Sequence, residues 1–390
     1  MIGRRDTILR RDSLIYKLTQ LHWFLLLTIV ALAAFGTLIL LSAGSLHNVA
    51  TNTLNLNPDL AINHMSRFGV MLIVALLVSL LPLRLWAAIA YPAYAVGVIM
   101  LVMVDFSGVV VKGAERWLQI GPLRFQPSEL MKLAVPLCLA RYYHQMFTAG
   151  RNSLWIHIWA FLLVAVPTGL ILRQPDLGTA MMVMGTGCAV IFFAGIHLRV
   201  IGLILILVAA MVPVVYFFAL HDYQRQRIET MFNPEADPQG AGYQLQQGML
   251  AIGSGGLTGK GYMEGAQKEL DYIPEQHTDF IFTIVAEEFG FFGSLAVLIA
   301  WGIALLQGMG IAGSSRSTFG GLAAAGFVST LFLYVVINIG MVVGLLPVVG
   351  IPLPLISYGG TVIVTVMVGF GLLMAVHLNR TNDMTLHGLV

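Results

Sequence analysis

Charge is what this chain has least of: Asp, Glu, Lys and Arg make up 10% of its 390 residues. Soluble domains carry about 25%, so a water-covered surface is excluded for most of the molecule. Cysteine is scarce too. Cys138 and Cys188 both fall inside apolar runs, which argues against a disulfide framework or a thiolate metal cluster and leaves two packing residues. The apolar runs also lack the strict alternation with polar residues that a transmembrane β-barrel needs. A net charge of +2 identifies no partner, and no nucleic-acid partner is expected.

What abounds is apolar length. The chain is 58% hydrophobic with a mean hydropathy of +0.84, and runs of helix-spanning length recur from end to end. The expected class is therefore an all-α polytopic membrane protein. Ten spans are predicted, at about 21–43, 67–83, 85–104, 127–146, 155–172, 176–195, 200–220, 280–307, 319–346 and 358–377. The first run, Leu21 to Ala43, is too long for a signal-peptide core and reads as a retained span. Arg4, Arg5, Arg10, Arg11 and Lys17 precede it, which places the N-terminus in the cytoplasm, and an even number of spans returns the C-terminus there. Residues 1–390 read as one transmembrane domain, with a cytoplasmic segment at 1–20, a long outer loop at 221–278 between spans 7 and 8, and a cytoplasmic tail at 378–390.

That loop opens with "HDYQRQRIETMFNPEADPQG" and continues "GYQLQQGMLAIGSGGLTGKGY". Apolar residues persist through it, so an ordered, re-entrant or surface-lying segment is expected rather than a linker. Its "GSGGLTGKG" is not a phosphate loop: Ser254 stands where the spacing needs Gly, and Gly261 where it needs Ser or Thr. Turn-forming glycine accounts for it.

The polar motifs fall at the starts of even-numbered spans, which share the outer membrane face. Span 4 begins "RFQPSELMK", span 6 "RQPDLGTA", span 8 "PEQHTDF" and span 10 "PLPLISYGGT". Gln-Pro followed by an acid, as at Glu129 and Asp176, is a good helix start, since Pro presets the first turn and the acid favours the positive dipole end. That suffices for Asp176. It leaves Lys132 unexplained, about a turn and a half below the membrane face and one i,i+3 step from Glu129. Charge at that depth is costly and points to a cavity or a partner.

Before span 4, "VVVKGAERWLQIGPLRF" alternates basic groups with apolar ones. A surface-lying segment is expected, with Lys112, Arg116 and Arg124 facing lipid phosphates and Trp117 serving as an interfacial belt residue or a substrate platform. Transporters place polar groups near mid-bilayer on broken helices. Here they cluster at one outer mouth, which favours chemistry on a substrate whose anchor stays in the bilayer. Glu287 and Glu288 point about 100° apart on a helix, so at most one is expected to work in a given cavity. Phe289 to Leu306 alone nearly spans the core.

Taken together, "GAERWLQIGPLRFQPSELMKLA", "QPDLGTA", "IPEQHTDFIFTIVAEEFGFFG" and "GLLPVVGIPLPLISYGGT" resemble the SEDS family (shape, elongation, division and sporulation) over nearly the whole chain, and its RodA-like elongation branch in particular. The resemblance implies a peptidoglycan glycosyltransferase that polymerises lipid II at the outer face of the bacterial cytoplasmic membrane. It also implies work beside a class B penicillin-binding protein and other membrane proteins of the elongation complex. By the same resemblance Asp279, in "HTDF", is the presumed catalytic residue, and Trp117, Glu129 and Lys132 are functionally important.

The reaction needs one carboxylate to take a sugar hydroxyl's proton during an inverting displacement, because pyrophosphate already leaves well. Asp279 is the expected base. The departing pyrophosphate needs cations, either Lys132 with Arg225 and Arg227 or a bound divalent ion such as Mg2+ or Mn2+. Whether Glu129 tunes Lys132, holds metal or only orients its neighbour stays open. His277 is expected to hydrogen-bond at the helix start, with Glu275 nearby. A lipid II flippase and a non-catalytic scaffold for the transpeptidase are the rival readings.

Overall fold

A computed structural model describes residues 14–48, 53–111, 114–121, 123–151, 153–197, 222–237, 240–265 and 276–381, with isolated positions between 200 and 210. After a short helix α1 (Leu14–Thr19), the chain runs up α2 (Trp23–Gly44). It turns through a hairpin of β1 (Leu46–Asn48) and β2 (Thr53–Asn55), and descends α3 (Asp59–Ser79). Helix α4 (Leu83–Ser107) returns to the hairpin end, which we call distal. Helices α5 (Pro127–Thr148), α6 (Leu154–Arg173) and α7 (Leu177–Phe193) follow. Beyond residue 221 come α8 (Asp222–Phe232), a 3-10 turn at Pro234–Ala236 and α9 (Ala241–Gly255). The last three are α10 (Ile281–Ser314), α11 (Thr318–Val342) and α12 (Gly360–Leu378).

Seven of these helices, α2, α3, α4, α6, α10, α11 and α12, are long and apolar enough to cross a membrane, and α7 is a shorter apolar helix. Helix α5 has the length, at 22 residues, but carries Glu129, Lys132 and Arg141. The chain is an all-helical polytopic membrane protein in its framework. Spans expected at 67–83 and 319–346 are shifted: α3 begins eight residues early at Asp59, because its polar first turns still have a buried face of Ala61, His64 and Phe68, and α11 ends at Val342. The span expected at 200–220 lies largely outside the described residues.

Helix α5 occupies the centre, packed against α4, α6, α7, α11 and α12. Most of its residues between Pro127 and Tyr143 are buried. Outward faces carry exposed apolar side chains instead, such as Leu27, Val70, Ile73, Ile99 and Leu306, the surface that a hydrocarbon solvent requires.

The surface-lying segment expected before α5 is built of strands. Strands β3 (Val109–Val111), β4 (Ala114–Ile120) and β5 (Leu123–Phe125) form an antiparallel sheet in that order, with Leu118 opposite Phe125 and Ile120 opposite Leu123. Strand β4 packs on the distal ends of α4 and α5.

Span 8 departs most from expectation. Helix α10 is broken at Gly290, where φ is 66° and ψ is −159°. The break orphans main-chain groups, which cannot remain unpaired in a membrane. The turn after α9 pairs with them in strand-like fashion. Lys260 and Gly261 N–H donate to the Glu287 and Glu288 carbonyls at 3.0 and 3.1 Å, and Phe291 and Phe292 N–H donate to the Gly256 and Leu257 carbonyls at 2.9 and 3.2 Å. Only glycine fits at the break, since a Cβ on Gly290 would lie 2.3 Å from the Gly259 nitrogen. Gly256, Gly259 and Gly261 of "GSGGLTGKG" have positive φ and serve turn geometry, as expected, whereas Gly253 and Gly255 belong to the end of α9.

Candidate active site at the distal end of the bundle

Gln126 and Pro127 start α5, with Pro in the first turn where no intrahelical N–H partner is needed. Glu129 in this first turn and Lys132 in the next are both buried, and the Lys132 ammonium lies 2.5 Å from Glu129 Oε1. The same ammonium donates to Tyr334 Oη at 2.7 Å, and that hydroxyl donates to Glu129 Oε2 at 3.1 Å. Ammonium, carboxylate and phenol therefore form a closed triangle, the kind of satisfaction a buried ion pair requires. Glu129 faces Lys132, and among the described residues no group of three or more His, Cys, Asp or Glu converges to hold a metal ion.

Asn338 lies one turn beyond Tyr334 on α11. Its amide nitrogen donates to the Asp279 carbonyl at 2.8 Å and to the Ile351 carbonyl at 2.7 Å. Asp279 itself sits half-buried in the turn that precedes α10. Gly350 faces it with φ of 72°, and a Cβ there would come within 3.2 Å of Asp279 Oδ2. The 343–359 connection thus approaches the carboxylate through a residue that only glycine suits.

The other predicted residues are arranged around this pair. Arg227, on α8, donates to the Val348 carbonyl, two residues from Gly350, while Arg225 on the same helix is half-buried. His277 accepts from the Tyr358 N–H through its carbonyl at 2.9 Å, and its ring lies 6.2 Å from that of Tyr358. Glu275 lies outside the described residues. Arg116, on β4, donates to the Gln174 carbonyl at 3.2 Å and to the Pro175 carbonyl, so its guanidinium ties the sheet to the α6–α7 turn. Trp117 beside it is half-buried. Asp176 caps α7, accepting from the Thr179 N–H at 3.1 Å, and also takes a 3.3 Å bond from Gln126. That is the helix-start role its position suggested.

Glu287 and Glu288 are both buried, close to the break in α10. Glu287 pairs with Lys260 at 2.6 Å, whereas Glu288 accepts a bond from Ser42 of α2. Each has its own partner, in keeping with their different directions on the helix.

Sequence reasoning missed Tyr334, Asn338, Ser42 and Lys260. A signal existed for Asn338, an amide inside the apolar run "LFLYVVINIGMV", because polar groups at that depth need a reason.

The geometry has clear relatives. Residues 22–382 match the FtsW/RodA/SpoVE family model, described as cell cycle protein. The chain is 46% identical over 309 residues to peptidoglycan glycosyltransferase MrdB of Escherichia coli K12, covering 79% of this chain and 83% of that one. It is 34% identical over 361 residues to a probable peptidoglycan glycosyltransferase FtsW of Idiomarina loihiensis, covering 90% and 85%. Among solved structures, one described as structural coordination of polymerization and crosslinking by a peptidoglycan synthase complex matches with a TM-score of 0.77 at 31% identity, covering 93% of this chain and 99% of that one. The rod shape determining protein RodA of Thermus thermophilus matches with a TM-score of 0.68 at 30% identity, covering 93% and 98%. With a family model spanning almost all of the sequence and helices superposing on solved members, the chain belongs to the FtsW/RodA/SpoVE family.

Proposed function

We propose that this protein is a peptidoglycan glycosyltransferase that polymerises lipid II during cell elongation, at the outer face of the cytoplasmic membrane and beside a class B penicillin-binding protein. The distal end of the bundle is then the outer end, and both termini are cytoplasmic. The observation that carries the reading is the union of Asp279 with the Glu129–Lys132 pair: α11 holds the backbone of the first and the ammonium of the second, through Asn338 and Tyr334.

In the reaction a sugar hydroxyl of one lipid-linked chain attacks the anomeric carbon of another. The new glycosidic C–O bond forms as the bond to pyrophosphate breaks, and the leaving pyrophosphate takes the bonding electrons. Asp279 accepts the hydroxyl proton. Lys132, with Arg225 and Arg227 at the rim, supplies positive charge toward the departing group. Arg116 and Trp117 shape the approach along β4. The break in α10 is a feature that transporters use to bind substrate, but here the carbonyls of Glu287 and Glu288 and the N–H groups of Phe291 and Phe292 are taken up by residues 256–261, which supports a structural role for it.

The test is glycan synthesis from purified lipid II by the reconstituted protein, alone and with its transpeptidase partner, beside Asp279→Asn. Polymer from the wild type and none from the folded variant is the expected result. A fully active Asp279→Asn protein sinks the base assignment, and a wild type that only moves lipid II across vesicles replaces the whole reading.

A further inference from the structure

Helix α11 crosses the core without a single charged residue, yet it carries Tyr334 and Asn338, each 0% exposed. Four residues apart, they share one helix face and stand about 6 Å apart along the axis. Tyr334 both accepts from Lys132 and donates to Glu129. Asn338 spends its amide nitrogen on two carbonyls, those of Asp279 and Ile351. Its Oδ1, by contrast, is buried with no hydrogen-bond partner among the described residues. A buried acceptor left unsatisfied is destabilising, a penalty that leucine of similar size would avoid. The amide is therefore kept for what its nitrogen holds.

We propose that Tyr334 and Asn338 are positioning residues for glycosyl transfer, and that one turn of α11 sets the spacing between the Asp279 carboxylate and the Lys132 ammonium. The inference rests on the glycosyltransferase reading. Asp279 sits in a turn, and Gly350 opposite it belongs to a non-helical connection, so neither element fixes its own geometry. Helix α11 does, because it is packed against α5, α7, α10 and α12. A proton acceptor and a cation that act on opposite sides of one reacting carbon need such a shared frame, since small displacements are expensive in rate.

The experiment compares full-length wild type, Tyr334→Phe, Asn338→Ala and Asn338→Asp in reconstituted membranes, with lipid II as substrate. It reads kcat, KM and the thermal unfolding midpoint, and includes Asp279→Asn. Tyr334→Phe keeps the ring against the ammonium and removes only the hydroxyl. It and Asn338→Ala are expected to lower kcat on the order of 10- to 100-fold with KM within about 3-fold and folding retained. Asn338→Asp turns a donor into an acceptor facing two carbonyls and is expected to lose more than Asn338→Ala. Wild-type kcat in both Tyr334→Phe and Asn338→Ala, or losses that only follow a falling unfolding midpoint, overturns the proposal. If wild type polymerises and Asp279→Asn does not, the glycosyltransferase reading survives that outcome. If wild type makes no glycan, that reading fails and the positioning role falls with it.

Discussion

Lys260 bonds Glu287 twice: its main-chain N–H reaches the Glu287 carbonyl at 3.0 Å, and its ammonium reaches the Glu287 carboxylate at 2.6 Å. The two residues are 27 apart in sequence, and they meet beside the one interruption in α10. The main-chain bond satisfies a carbonyl orphaned by the break, while the side-chain bond compensates a carboxylate that burial would otherwise penalise.

Replacing Lys260 by Met should therefore destabilise the fold by roughly 1–3 kcal/mol, the range for stranding a buried polar group, moderated because water reaches the partly exposed Lys260 head. Adding Glu287→Gln to that variant should recover much of the loss. Unfolding titrations in mixed micelles measure both. A double variant no more stable than Lys260→Met shows that the pair is not what holds this corner.

Gly290→Ala tests the break itself. At φ 66° and ψ −159° the backbone is in a region essentially reserved for glycine, which costs another residue about 1–3 kcal/mol, and the new Cβ meets the backbone of Leu257 and Gly259 at 2.3–2.7 Å. Folded yield and unfolding midpoint should drop sharply. Gly302→Ala, in the same helix with nothing within 4 Å of its Cβ, is the control and should behave as wild type. Equal behaviour of the two variants contradicts the role assigned to the break.

Asp176→Ala should lose about 1 kcal/mol as an N-cap, together with its bond from Gln126. Asp176→Asn keeps the Oδ1 acceptor that Thr179 uses but turns Oδ2 into a donor, so the Gln126 amide must flip to pair with it; this variant should retain most of the stability and its glycan synthesis. An Asn variant that is well folded but inactive shows that Asp176 needs its charge, which capping does not.

Lys132→Met should abolish glycan synthesis, and it also strips Glu129 of its cation. Pairing it with Glu129→Gln separates the two effects: the double variant should fold better than Lys132→Met alone and remain inactive. Polymer formation by the double variant reduces the ion pair to a structural one.

Local chemistry was legible in the one-dimensional sequence. Most of the described spans follow from apolar length, the start of α7 beside Asp176 from Gln-Pro followed by an acid, and the Glu129–Lys132 pair from a spacing of three on a helix; that Asp176 acts as the cap, with Pro175 outside the helix, came from the structure. Each of these depends on residues within a turn of one another, where helix geometry leaves little choice. The second span was misjudged because polar residues on its outward side hid a buried face. The break in α10 stayed hidden too, because a helix broken at glycine has the same composition as a continuous one.

Composition and motif order alone determined that this chain is a polytopic helical membrane protein with its polar motifs at the starts of alternate spans; spacing singled out the Glu129–Lys132 pair, and the family resemblance carried by the motifs nominated Asp279. The tertiary structure decided how those groups are joined. Asn338 reaches back 59 residues to Asp279, and Tyr334 reaches back 202 residues to Lys132, contacts that no periodicity encodes because they depend on which helices become neighbours. That choice is made by the packing of α11 against α5 and α10, and packing is a property of surfaces that exist only once the helices have formed.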